Sequence, residues 1–161
     1  MNKIFSTGQA IKESEKIRNT GKRIVLVGGC FDVLHIGHIH FLQKAKEQAD
    51  ILMVLLESDE KVKKWKGNNR PLFPQQERAE VLASLYFVDY VICLPPLDDN
   101  SAYDKMILAL KPAIIATTQG DPARVHKDRQ AKLLGIPVVE VIDRMKNRST
   151  TKLAEMLEKE L

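Results

Sequence analysis

The chain has 161 residues, 44% apolar and 29% charged, with a formal net charge of +4 and a pI near 9.0. That length suits one domain of roughly 150 residues, and the mild basicity is not the profile of a dedicated nucleic-acid binder, though it accommodates a small anionic ligand. The longest fully apolar run, Ile51 to Leu56, is too short to span a membrane, and the polar N-terminus lacks the apolar core of a signal peptide.

From the N-terminus, residues 8–19 place Ala10, Ile11 and Ile17 at helical spacing among charges, which predicts a leading helix. "RIVLVGG" (23–29) is a β-branched run ending in glycines and reads as a buried strand. "GHIHFLQKAKEQA" then sets Ile39, Leu42, Ala45 and Ala49 on one helical face. "ILMVLLES" is a second buried strand, and "DEKVKKWKGNNRP" reads as a loop, or a short helix and a loop. Pro74 opens a helix, with proline in its first turn. "YVICL" is a strand, "SAYDKMILALK" a helix ended by Pro112, and "AIIATT" a strand. The next helix takes Asp121 as N-cap, Pro122 at its first position and Gly135 as C-cap. "PVVEVI" is a strand and "STTKLAEMLEKEL" a final helix.

Strand and helix alternate without repeats or a linker. The expectation is an α/β fold, a single-domain doubly wound parallel sheet of Rossmann-like type, with residues 1–21 as a helical lead-in and 22–161 as the core. Ligands of such sheets bind beyond the carboxyl ends of the strands, so the loops after Gly29, Ser58, Thr118 and Ile142 should face the site. Cys30 and Cys93 form no disulfide framework, so a reduced, cytoplasmic protein is expected.

The stretch "GGCFDVLHIGHIHFL" (28–42) holds three of the four histidines. Gly28 and Gly29 let backbone approach a ligand. The helix starting near Gly37 offers free N–H groups and a positive dipole end. His35 and His38 are three apart, so both can sit over that first turn and donate to a phosphate. His40 should turn to another face. A zinc site built from Cys30, His35, His38 and His40 is a competing reading, although its spacing matches no standard pattern. No Gly-Lys-Ser/Thr follows the glycines and they are not GxGxxG, so neither a Walker loop nor a dinucleotide fingerprint is present.

These residues resemble the signature of the HxGH nucleotidyltransferase superfamily, which contains the cytidylyltransferases. "GKRIVLVGGCFDVLHIGHIHFLQKAK", "WKGNNRPLFPQQERAEVLASLYFVDYVI" and "RMKNRSTTKL" follow in that family's order. The middle block is most similar to the adenylyltransferase that activates heptose 1-phosphate. Glycerol-3-phosphate cytidylyltransferases and FAD synthases, which adenylylate FMN, are near neighbours. The resemblance implies an enzyme that joins a nucleoside monophosphate, AMP from ATP in the heptose case, to a phosphorylated acceptor with release of pyrophosphate. CTP in place of ATP, and a non-catalytic nucleotide-binding module, stay open as alternatives.

By the same resemblance, His35 and His38 would hold the triphosphate, with Lys66 and Arg144 completing the catalytic set. Gly29, Cys30, Phe31 and Gly37 would bring backbone to phosphate, and Asp32 would brace that turn. Lys63 would be presented to phosphate, Arg78 would reach nucleotide or acceptor, and Ser149, Thr150 and Thr151 would take the outer phosphates. Magnesium is expected with the triphosphate, held by phosphate and water and by no protein ligand. Relatives are often dimers, so a homodimer is an expectation, and neither nucleic acid nor membrane is an expected partner. One segment departs from the pattern. Heptose-type relatives carry K-G-G-D-Y where this chain has "TTQGDP" (117–122), which keeps only Gly120 and Asp121.

Overall fold

A strand covered by helices on both faces buries every side chain, which is why the unbroken aliphatic runs become the inner strands of one sheet. The computed structural model of the chain describes residues 2–143. Its elements are β1 (Ile4–Ser6), α1 (Thr7–Asn19), β2 (Ile24–Gly29), α2 (Ile36–Lys46), β3 (Ile51–Leu56), α3 (Asp59–Lys66), α4 (Gln75–Ser84), β4 (Tyr90–Cys93), α5 (Asn100–Leu110), β5 (Ile114–Thr118), α6 (Arg124–Leu134) and β6 (Val138–Ile142). All neighbouring strands are parallel, in the order β1-β4-β3-β2-β5-β6. This is the doubly wound parallel sheet that the alternation predicts.

The period of two along each strand divides its side chains between two cores. Val25 and Val27 of β2, with Leu52, Val54 and Leu56 of β3, pack with Phe41 and Leu42 of α2 and Leu82 of α4. Ile24, Leu26, Met53 and Leu55 point the other way, into Ala10 and Ile17 of α1 and Met106, Ile107 and Leu110 of α5. β2, β3 and β4 step in one direction across the sheet, and the chain then returns to lay β5 and β6 on the far side of β2. Right-handed crossovers in opposite directions place their helices on opposite faces.

The reversal positions the site. β2 pairs with β3 over its whole length, from Ile24↔Ile51 to Gly29↔Leu56. It pairs with β5 only at Val25↔Ile114 and Leu26↔Ile115. Beyond Leu26 the two strands part, and their carboxyl ends border an open crevice.

Three local expectations are corrected. The lead-in contains β1, an edge strand paired with β4; a three-residue strand is too short to show a period. Ser6 then caps α1 through a reciprocal box with Gln9. Pro74 is the N-cap of α4 and lies outside its first turn. Asp121 is not the cap of the next helix and Pro122 is not its first residue, because the helix begins at Arg124 behind Ala123, and the Asp121 carboxylate accepts from Ala123 N at 2.8 Å in the turn before it. The final helix expected over 149–161 lies outside the described residues. No helix among the described residues is long and apolar enough to cross a membrane.

Lys111 closes α5 in the left-handed region, at φ 49° and ψ 58°. A side chain disfavours that conformation and glycine does not. Lys111→Gly should therefore raise the unfolding free energy by about 0.5–1 kcal/mol in a urea titration.

Candidate active site

A cavity of about 410 Å³ occupies the crevice where β2 and β5 part, and it is lined by residues of both strands and of α2, α3, α5 and α6. Its floor is the turn after β2. Phe31 adopts a left-handed φ of 44° there, and its ring is buried. A Cβ on Gly29 would come within 2.8 Å of that ring, so the second glycine makes room for Phe31. A Cβ on Gly28 would meet only ordinary contacts.

Asp32 braces the turn. Its carboxylate is buried and accepts from Leu72 N at 2.8 Å, Phe73 N at 3.4 Å and the guanidinium of Arg70. Arg78, expected to reach nucleotide or acceptor, is 2% exposed and clamps backbone instead. It donates to the carbonyls of Phe73 (3.0 Å), Glu57 (2.9 Å) and Cys30, and to the Asp59 carboxylate (2.7 Å). It thereby fixes the ends of β2 and β3 to each other, and it does not line the cavity.

The two histidines open α2 as a capping box. His35 is the N-cap and its Nδ1 accepts from Gly37 N at 3.2 Å. His38 Nδ1 accepts from His35 N at 3.4 Å. The spacing of the motif is thus the N-cap to N3 spacing, with imidazole in place of the usual hydroxyl and carboxylate. The rings stack with centroids 3.8 Å apart, and Phe31 leans on His38 at 5.3 Å. With Nδ1 accepting, each ring when neutral carries its proton on Nε2 and can donate from that atom. Burial pushes His38 down to about 4, and the charges of His35 and Lys66 add to the effect. His38 is therefore neutral at physiological pH and meets an anion as a hydrogen-bond donor.

Cys30, Phe31, His38 and Lys66 all line the cavity. Burial pushes the Cys30 thiol up, only partly offset by Lys66, which leaves it protonated and a poor nucleophile. Lys63 is exposed on α3 and does not line the cavity. Gly120 is exposed at a left-handed φ of 69°, while Asp121 stands on the cavity wall. Burial alone would raise the Asp121 carboxyl, but hydrogen bonds from Lys127 and from Thr117 Oγ1 (2.5 Å) outweigh it and hold it low. His40 faces away, into a separate groove beside Tyr86 and Phe87. Arg144, Ser149, Thr150 and Thr151 lie outside the described residues. Among the described residues, no group of three or more His, Cys, Asp or Glu side chains could hold a metal ion.

Sequence reading missed the far wall. Glu57, Lys61 and Trp65, with Tyr103 of α5, line the cavity beyond Cys30. Glu57 follows β3 directly, so its place past a strand's carboxyl end was a usable signal. Tyr103 sits in an ordinary amphipathic helix and gave none.

The profile of the cytidylyltransferase-like family matches residues 26–155. The chain is 40% identical over 147 residues to "Bifunctional protein HldE" of a Nitratiruptor species, covering 89% of this chain and 29% of that protein. It is 46% identical over 105 residues to the HldE protein of Geobacter metallireducens, covering 65% and 20%. The chain thus spans less than a third of the length of these relatives. Among solved structures, a lipopolysaccharide core biosynthesis protein from Thermoplasma volcanium superposes with a TM-score of 0.62 at 29% identity, over 77% of this chain and 98% of that one. A pantoate-beta-alanine ligase from Francisella tularensis shares the fold, with a TM-score of 0.58 at 20% identity, over 97% of this chain and 76% of that one.

Because Arg78 meets buried carbonyls, Arg78→Met should lower stability by about 3–5 kcal/mol in chemical denaturation. An arginine serving only as a ligand contact would leave stability within about 0.5 kcal/mol of the parent.

Proposed function

Because the chain belongs to the cytidylyltransferase-like family, we propose that it transfers AMP from ATP to a phosphorylated sugar of the heptose 1-phosphate type, releasing pyrophosphate. The observation that carries this reading is the histidine capping box at the mouth of α2, which opens on the crevice between β2 and β5. An oxygen of the acceptor phosphate attacks the α-phosphorus in line. The bond from the α-phosphorus to the bridging oxygen breaks, and pyrophosphate leaves with the electron pair. No enzyme nucleophile is required, which agrees with a protonated Cys30.

Catalysis then rests on positioning and charge stabilisation. His38, neutral and protonated on Nε2, donates to an α-phosphate oxygen as charge accumulates there. His35 holds His38 in register through the cap and the ring stack. Lys66 supplies a positive charge on the same wall. The helix mouth adds a favourable dipole for the phosphates. Arg144, Ser149, Thr150 and Thr151 are proposed to grip the β- and γ-phosphates. Side chains at the phosphate end are imidazole and ammonium, a donor set that fits magnesium held by the triphosphate's own oxygens and water. When bound, the ion neutralises charge on the leaving pyrophosphate. The two unpaired cysteines support a reducing, cytoplasmic setting.

Pyrophosphate release should appear with ATP and a sugar 1-phosphate in a panel that also offers CTP, GTP, UTP, glycerol 3-phosphate and FMN. No release with any pair would refute the proposal, and CTP-dependent release would reassign the base. His38→Ala should cut turnover roughly 100-fold or more with the fold retained, since it removes a transition-state donor. An unchanged rate would contradict the assigned role.

A further inference from the structure

The cavity extends past Cys30 into a wall that none of the phosphate chemistry uses. Glu57 stands there at 7% exposure. Its position is rigid, because its N–H donates to Gly29 O at 3.1 Å and its carbonyl accepts from Arg78. The Tyr103 hydroxyl donates to Oε2 at 2.7 Å. Oε1 accepts no hydrogen bond among the described residues. Glu57 lines the cavity, so that oxygen is open to a hydrogen-bond donor carried by a bound ligand.

The surroundings narrow what that donor is. Lys61 donates to Leu97 O at 2.7 Å and lies over the rings of Trp65 and Tyr103, at 5.0 and 5.2 Å. Its ammonium is therefore committed to protein partners. Trp65, 57% exposed, presents a broad apolar ring at the cavity edge. A carboxylate repels phosphate, so the triphosphate belongs with His38 and Lys66 and cannot extend to Glu57. What suits an unmet carboxylate oxygen beside an aromatic ring is a neutral group that carries hydroxyls on one edge and C–H on its face. Burial raises the Glu57 carboxyl, against the pull of Tyr103 and Lys61. It accepts hydroxyl protons most strongly once ionised.

We propose that Glu57, oriented by Tyr103 and sharing the cavity with Trp65, is the specificity residue for the acceptor, and that it selects phosphorylated sugars or polyols by accepting hydrogen bonds from their hydroxyls. This rests on the nucleotidyl-transfer reading above and adds the substrate feature that is recognised. Glu57 makes no contact with the reacting phosphorus and is not a catalytic residue.

The test uses substrate deletion and side-chain deletion together. The full chain is saturated with magnesium and a non-hydrolysable ATP analogue. Calorimetry then measures binding of mannose 1-phosphate against its 2-deoxy analogue, and of glycerol 3-phosphate against propyl phosphate. The two pairs separate a cyclic sugar from a linear polyol. The parent protein should prefer the hydroxylated member of one pair by roughly tenfold or more, the scale of a charged hydrogen bond. Glu57→Gln should reduce that preference to about twofold or less, with affinity for the ATP analogue unchanged. Tyr103→Phe, which leaves the carboxylate in place, should weaken the preference to an intermediate value and stands in should the glutamine variant not fold. A glutamine variant with the parent's preference, or a parent that prefers neither member of either pair, would overturn the assignment of Glu57. Loss of the reading beneath it would look different, as failure of the parent to bind the ATP analogue.

Discussion

β2 has a neighbour on each side, and the chain reaches those neighbours by crossovers running in opposite directions. Among the described residues, α2 and α4 pack on one face of the sheet and α1 and α5 on the other. β2 and β5 are hydrogen-bonded at only two residue pairs before they part. The cavity lies at that parting. The turn after β2 forms the floor, the mouth of α2 faces it, and the ends of β3 and β5 supply the two walls. Arg78 holds the arrangement by meeting carbonyls from the β2 turn and from the end of β3 with one guanidinium.

The capping box gives the HxGH spacing a physical reason. A helix must satisfy its first N–H groups, and two imidazoles three residues apart do so reciprocally through Nδ1. The same bonds engage Nδ1 of each ring and leave the proton of the neutral ring on Nε2. Helix formation and donor presentation are therefore one event, and the intervening Gly37 supplies the N–H that sets His35. Depressed basicity keeps His38 neutral, so it offers a proton without losing one to bulk solvent.

Much of this was legible in the amino-acid sequence, for identifiable reasons. The buried runs of β2 and β3 and the glycine after α6 follow from strong local signals. The placement of His35 and His38 at a helix mouth follows from their spacing. Two kinds of feature were not legible. Short or edge elements such as β1 carry too few residues to show a period. Contacts made across the sequence carry no local mark at all. Arg78 reads as a contact to nucleotide or acceptor until Cys30 and Glu57 are brought to it. Asp121 reads as a cap until the fold sets it one turn early, where Thr117 and Lys127 hold one carboxylate oxygen and Ala123 N the other. Glu57 and Tyr103 are 46 positions apart and meet only in the fold.

The role given to the two histidines is open to direct observation by nitrogen-15 NMR of the imidazole rings, recorded against pH with and without magnesium and ATP. His38 should carry its proton on Nε2 and stay neutral down to about pH 4 in the free protein. Addition of ATP should move the Nε2 resonances of His35 and His38 and leave those of His40 in place. A His38 that titrates near 6.5, holds its proton on Nδ1, or is indifferent to ATP would contradict the capping-box geometry as the basis of phosphate binding.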